Sequence, residues 1–111
     1  MSFQTLLNRT ITVLPMNVTG IDRYGNDVIG PGTPIEDVPA RRWQVSASEE
    51  ITDRDEQART FQYDLPPDVA VTGRDRIIDG DDTLEVLGPP ELVYRRRTPH
   101  HIELRAYLIE G

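Results

Sequence analysis

Glycine and proline divide the second half of the chain into a fixed order of short segments. Gln57–Leu65 ends at Pro66-Pro67-Asp68, and Thr83–Leu87 lies between the acidic run Asp79-Gly80-Asp81-Asp82 and Gly88-Pro89-Pro90. Proline cannot donate a backbone hydrogen bond, and clusters of Gly and Asp favour tight turns, so these positions interrupt any regular element. The spacing leaves little room for a helix and predicts strands joined by turns, followed by one long final strand.

Alternation with period two indicates which side chains face the interior. Thr10–Leu14 reads as a half-buried strand that Pro15 ends, and Ile21–Val28 contains Gly25-Asn26 between apolar flanks, which is typical of a hairpin. In Val38–Ala47 we expect Trp43 to anchor the core. The other expected inner-face residues are Phe61, Tyr63 and Leu65, then Ile102, Leu104, Ala106 and Leu108.

The pattern therefore predicts an all-β fold, a small β-barrel or a sandwich, with a long acidic loop projecting between its middle strands. A length of 111 residues fits one domain, residues 1–111. Hydrophobic residues make up 37% of the chain, a low share that hints at apolar surface buried against partners. Cysteine is absent, so disulfides cannot stabilise the fold. The chain also lacks an apolar run that could span a bilayer or act as a signal peptide, so we expect a soluble protein.

The charge balance argues against a protein whose whole surface attracts DNA. Asp and Glu total 19 against 12 basic residues, all of them arginine, and the formal net charge is −7. Nucleic-acid binding depends on neutralising phosphates with basic side chains, so any relation to DNA should be repulsive or local.

The acids concentrate in Ser48–Gln57, which holds a single apolar residue, Ile51. A calcium loop fits poorly, because Ala58 stands where that loop needs glycine and Asp64 where it needs a bidentate Glu. Two readings stay open: a solvated loop, or a projecting hairpin whose carboxylates line a space shared with a polyanion. The candidate residues are Glu49, Glu50, Asp53, Asp55 and Glu56.

Other clusters of polar residues are expected to have structural roles and no catalytic or metal-binding role. The run Asp79–Asp82 is expected to be only a turn. His100 and His101 are adjacent, so on a regular strand their rings point to opposite faces, and we expect a surface pair that binds no metal together. With no nucleophile motif and no His–carboxylate pattern at recognisable spacing, we expect neither enzymatic activity nor a cofactor.

Positive charge is concentrated in one run, Arg95-Arg96-Arg97, which follows Tyr94. It fits a solvated connection before the last strand equally well as an interface patch that contacts an acidic neighbour. An acidic loop and a basic run in one small chain would suit head-to-tail self-association, which closes into rings.

From Val38 to Glu110 the sequence resembles the head-completion, or head-to-tail stopper, proteins of long-tailed phages. The resemblance rests on Tyr63-Asp64-Leu65-Pro66, Asp75-Arg76-Ile77, Asp79-Gly80, Val86-Leu87-Gly88-Pro89-Pro90 and His101-Ile102-Glu103-Leu104, in that order. These motifs are structural, and their order and the chain length carry the likeness.

The resemblance implies a β-barrel that forms a ring, dodecameric in this family, beneath the portal and its adaptor. Such a ring retains packaged DNA and offers a docking surface to the tail terminator or tail tube. The five loop acids would face the DNA channel, and Tyr94 to Arg97 would contact a neighbouring subunit or partner. The protein would reside in the virion at the head-tail interface, after assembly in the host cytoplasm. The alternatives are another connector protein, such as the adaptor or the tail terminator, and a small β-barrel binding module.

Overall fold

The computed structural model describes residues 7–44 and 59–111, and within them every regular element is a β-strand. No helix long and apolar enough to cross a membrane occurs in these two ranges. The strands are β1 (Arg9–Leu14), β2 (Met16–Ile21), β3 (Asp27–Pro31), β4 (Ile35–Gln44), β5 (Thr60–Leu65), β6 (Arg76–Asp79), β7 (Asp82–Arg95) and β8 (Thr98–Glu110).

Six of these strands close into an antiparallel barrel in the order β1-β4-β5-β8-β7-β6, while β2 and β3 form a separate two-stranded sheet. Closure depends on β1, which pairs with β4 along one edge and with β6 along the other. A closed sheet has no exposed edge, so the barrel is protected against edge-to-edge aggregation. The predicted all-β barrel is confirmed.

The core fills the barrel with side chains from alternate positions of each of the six barrel strands. Tyr63 is the largest fully buried side chain, and Leu65 beside it is also inaccessible to solvent. The expected inner faces of β5 and β8 are confirmed, with Phe61 and Leu108 at the margin of the core. The buried apolar residues are Ile11, Val13, Val38, Ala40, Tyr63, Leu65, Ile77, Leu84, Val86, Ile102, Leu104 and Ala106.

Trp43 does not anchor the core, contrary to the expectation from alternation. On β4 the inner face carries Val38 and Ala40, whereas Trp43 is half-buried on the other face beneath the guanidinium of Arg41, 4.9 Å from the ring centroid. The interior of a six-stranded barrel is narrow, and Tyr63 already occupies it, so small residues of β4 face inward.

Strand β7 continues through Gly88-Pro89-Pro90, where the sequence predicts a break. The pairing with β8 jumps from Leu87 to Glu91, so residues 88–90 form a bulge in one long strand. Gly88 has φ +72°, a conformation that favours glycine. Since bulged residues make no ladder hydrogen bonds, the two prolines cost the strand little there.

Asp75 joins the two-stranded sheet to the barrel. Its buried carboxylate accepts hydrogen bonds from the Thr72 backbone N–H at 2.8 Å, from the Thr72 hydroxyl at 3.0 Å and from the Met16 backbone N–H at 3.3 Å. Met16 begins β2, so this side chain links the base of the β2–β3 hairpin to the barrel.

Candidate functional site

The strand directions define two structurally different ends of the barrel. One end holds the start of β1, the end of β4, the start of β5, the turn between β6 and β7 and the end of β8. We call it the segment end, because the acidic segment follows β4 and precedes β5 in the sequence. The β2–β3 hairpin and the β7–β8 turn extend from the opposite end, which we call the hairpin end.

The five predicted channel-loop acids, Glu49, Glu50, Asp53, Asp55 and Glu56, lie outside the described residues. What the structure gives is their attachment: β4 ends at Gln44, β5 begins at Thr60, and the two strands pair from Arg41 opposite Asp64 to Gln44 opposite Phe61. The Leu108 N–H also donates to the Arg59 carbonyl at 2.8 Å. Both ends of the segment are thus tied to adjacent strands at the segment end.

A buried carboxylate, Asp79, ties four strands together at this end. It accepts hydrogen bonds from the Tyr63 hydroxyl at 2.8 Å, from Arg42 Nη1 at 2.9 Å and from Arg9. Arg42 also contacts Asp82 at 3.1 Å and lies over the Phe61 ring, 3.8 Å from its centroid. We call Asp79, Arg9, Arg42, Tyr63 and Asp82 the clasp.

The clasp keeps Asp79 ionised. Burial by itself would raise the pKa of this carboxyl, but the hydrogen bonds from Arg42, Tyr63 and Arg9 outweigh burial and hold its pKa below the ordinary value. For Tyr63, burial and the hydrogen bond to Asp79 raise the pKa of the phenol well above its usual range. The clasp is therefore a fixed ionic support for the strands that carry the acidic segment.

The turn predicted at Asp79–Asp82 is present, since Asp79 pairs with Asp82 and Gly80 adopts φ +61°. Sequence reasoning treated these acids as turn residues only and missed the buried role of Asp79. A signal was available: Asp79 follows Ile77 at an inward position of the alternation, and a carboxylate there requires a cationic partner.

Tyr94, Arg95, Arg96 and Arg97 lie at the tip of the β7–β8 ribbon, at the hairpin end. All four side chains are exposed, and Arg95 pairs with Thr98 so that Arg96 and Arg97 form a two-residue turn. Both central residues have positive φ, 52° and 68°, as a type I′ turn requires. Asn-Gly is favoured there, so arginine costs stability at both positions and places charge at the tip.

The β2–β3 hairpin exposes five large apolar side chains. Ile21 is 70% exposed and Tyr24 is 77% exposed. In β2 every residue after Met16 is exposed to solvent, and the hairpin makes no ladder pairing with a barrel strand. The exposed large apolar residues of this hairpin are Val18, Ile21, Tyr24, Val28 and Ile29.

His100 and His101 do not form the surface pair with opposed rings that alternation predicts. Both are half-buried, their ring centroids lie 5.0 Å apart, and the two Nδ1 atoms are 2.7 Å apart. The pairing of β7 with β8 jumps from Val93–His101 to Tyr94–Pro99, so His100 sits in a bulge. The bulge breaks the alternation of side chains and allows the rings to meet.

Comparisons with known proteins give a shared fold. No protein-family model matches the sequence, and no curated protein matches it at a significant level. Similar solved structures include protein xkdH of the phage-like element PBSX of Bacillus subtilis, with 19% identity and a TM-score of 0.61 over 91% of this chain and 93% of that one. Protein SF1141 of Shigella flexneri 2a is also similar, with 19% identity and a TM-score of 0.65 over 100% of this chain and 97% of that one. The barrel with its projecting hairpin thus belongs to a fold that these proteins share.

Proposed function

We propose that this protein is a structural component of a phage neck, a head-to-tail stopper. In this role it forms a ring beneath the portal and adaptor, retains packaged DNA and presents a docking surface to the tail. The observation that carries the proposal is the likeness to a protein of a phage-like element over 91% of this chain and 93% of that one. The ordered strand and turn motifs of the second half support the same assignment.

The β2–β3 hairpin supports an assembled state. An isolated two-stranded hairpin is only marginally stable in water, and contiguous exposed apolar side chains usually mark an interaction surface. Residues such as Ile21 and Tyr24 lack such cover in the single chain. Burial against a neighbouring copy or the adaptor would supply the packing that the hairpin lacks.

The charges at the two ends also suit a stacked or ring assembly. At the segment end the chain leaves β4 after Gln44 and enters β5 at Thr60, and the five acids lie between these two residues in the sequence. The hairpin end carries the arginine tip. Guanidinium groups form forked hydrogen bonds with carboxylates, so the tip is suited to an acidic partner surface. We assign Tyr94, Arg95, Arg96 and Arg97 to a subunit or partner interface.

The acidic segment would act on DNA by repulsion. A ring of carboxylates in a narrow channel creates a negative potential, and this potential discourages phosphates from adhering to the wall during ejection. The clasp would keep the roots of the segment, β4 and β5, in place while DNA passes.

Electron microscopy of the purified protein, combined with mass photometry, tests the ring. We expect closed rings, and immunogold labelling of virions should mark the neck. A protein that is solely monomeric, together with a neck that carries no label, would contradict the proposal. Monomers with a labelled neck would indicate that the ring forms only on the portal.

Replacing the five acids by alanine tests the channel role. We expect altered retention or ejection of the genome with the barrel intact by circular dichroism. Unchanged retention and ejection would count against this role. A matched control removes five exposed acids that lie away from the segment end: Asp27, Glu36, Asp68, Glu85 and Glu91.

The same kinds of experiment distinguish the stopper from an adaptor, a tail terminator and a binding module. An adaptor should be rich in helix, whereas the described residues contain strands alone. A tail terminator would remain attached to isolated tails, so labelling of tails that lack heads separates it from a stopper. A monomeric binding module would show neither rings nor label.

A further inference from the structure

Three side chains on the outer face of the barrel lie close together and have no role in the proposed neck function. An oxygen of Asp64, a ring nitrogen of His101 and an oxygen of Glu103 all lie within 4.8 Å of one another. Asp64 lies on β5 directly opposite Glu103 on β8, and His101 precedes Glu103 by two residues on the same face. We propose that Asp64, His101 and Glu103 bind a divalent cation of the zinc class.

The buried carboxylate of Asp64 is the strongest evidence for a bound ion. The residue is 7% exposed, and its Oδ1 is buried with no hydrogen-bond partner among residues 7–44 and 59–111. A buried carboxylate oxygen without a partner is costly, and such atoms often mark an ion that is bound in the working protein.

The strand pairing also places carboxylates opposite one another, and a cation would offset their repulsion. Asp64 and Glu103 are paired across β5 and β8, and on the other side Glu103 is paired with Glu91 of β7. Like charges that lie directly opposite one another destabilise a sheet. A divalent ion between Asp64 and Glu103 would bind both carboxylates and so offset the repulsion between them.

His101 is oriented to supply the third ligand. Its Nε2 lies 3.0 Å from Glu103 Oε1, while its Nδ1 lies 2.7 Å from Nδ1 of His100. A histidine that binds a metal through one nitrogen usually bonds through the other, which fixes its tautomer. Donation from His101 Nδ1 to His100 Nδ1 would leave Nε2 unprotonated and able to bind the metal, so His100 acts as a positioning residue.

The donor set and its spacing fit zinc. One imidazole and two carboxylates provide nitrogen and oxygen ligands with two negative charges, and zinc accepts both atom types. Ligand atoms around a tetrahedral ion with bonds of about 2.0 Å lie about 3.3 Å apart, so movements of at most about 1.5 Å would close the group. Glu103, whose side chain is 39% exposed, lines an open groove of about 240 Å³ and has room to make this movement.

Titration of the purified full-length protein with zinc chloride, followed by calorimetry, tests the proposal. We expect one ion per chain, with a thermal midpoint that rises as zinc is added. Asp64→Asn and His101→Gln should each bind at least about tenfold more weakly and lose the rise in midpoint. The matched control, Glu85→Gln, removes an exposed carboxylate of β7 and should bind like the original chain.

Two further measurements distinguish loss of the site from misfolding and from binding by the histidines alone. Without zinc, Asp64→Asn should fold and melt at or above the midpoint of the original chain, because it removes a buried charge whose Oδ1 has no partner in the described residues. The absence of saturable zinc binding would overturn the proposal. So would binding that His101→Gln abolishes but Asp64→Asn leaves unchanged, since that result indicates the two histidines alone.

Discussion

Replacing Asp79 by asparagine should destabilise the barrel by removing the charge at the centre of the clasp. Asparagine keeps the shape of the side chain and can still accept the hydrogen bond from Tyr63. It lacks the negative charge that Arg42 and Arg9 contact. The change therefore isolates the ionic part of the interaction.

The size of the effect follows from the contacts. A hydrogen bond to a charged group contributes about 1.5–3 kcal/mol, and Asp79 makes two with arginines. The share of Arg9 is small because its side chain is 38% exposed and screened by solvent, and Arg42 keeps its contact with Asp82. We expect a net loss of about 2–3 kcal/mol in the free energy of unfolding. For a chain of this size, that loss lowers the thermal midpoint by about 8–12 °C.

The pH dependence gives an independent check. The pKa of Asp79 is lower in the folded state than in the unfolded chain, where an aspartate titrates near about 3.9. Its stabilisation is fully present above that unfolded value and is lost as the pH falls through the folded pKa. The asparagine of the variant does not titrate, so the difference between Asp79→Asn and the original chain should narrow below about pH 4.

The assay is thermal unfolding followed by circular dichroism, at one protein concentration because assembly would shift the midpoint. Asp81→Asn is the matched control: Asp81 lies in the same turn, is exposed, and should change stability by no more than about 0.5 kcal/mol. Equal midpoints for the two variants would refute the reasoning. A difference that stays constant well below about pH 4 would refute the assigned role of the Asp79 charge.

Three further changes test other parts of the molecule. Replacing Arg96 and Arg97 by Asn and Gly should raise stability by about 1–2 kcal/mol, since both positions have positive φ, and should weaken assembly or tail attachment; a lower thermal midpoint would contradict the turn assignment. Asp75→Ala should cost about 2–4 kcal/mol in urea unfolding, because it removes two hydrogen bonds from Thr72 and one from Met16 at the base of the hairpin, whereas exposed Asp68→Ala should have little effect. Ile21→Asp should leave the monomer's stability within about 0.5 kcal/mol of the original and reduce the ring fraction in mass photometry, and undiminished rings would exclude the hairpin from the interface.

The strands of the middle and the end of the chain could be predicted from the sequence because alternation is a local property. Phe61, Tyr63 and Leu65 share one face of any extended chain, and so do Ile102, Leu104 and Ala106. Proline and glycine likewise act through their own backbone, so Pro15 ended β1 as predicted.

Alternation separates two faces of a strand, but it does not say which face is inside. In β4 the barrel takes Val38 and Ala40 and leaves Trp43 at the surface, a result that depends on the room left by Tyr63. The continuation of β7 through Gly88-Pro89-Pro90 also depends on its partner, because β8 accommodates the bulge.

The sequence by itself therefore determined the strand segments, their turns and the all-β class, since these follow from backbone geometry within a few residues. Only the tertiary structure decided which distant residues meet. The clasp joins Arg9 to Asp79 across 70 positions, and the proposed zinc site joins Asp64 to His101 and Glu103. These contacts exist because β1 closes the barrel between β4 and β6 and because β5 pairs with β8, and no local pattern specifies such pairings.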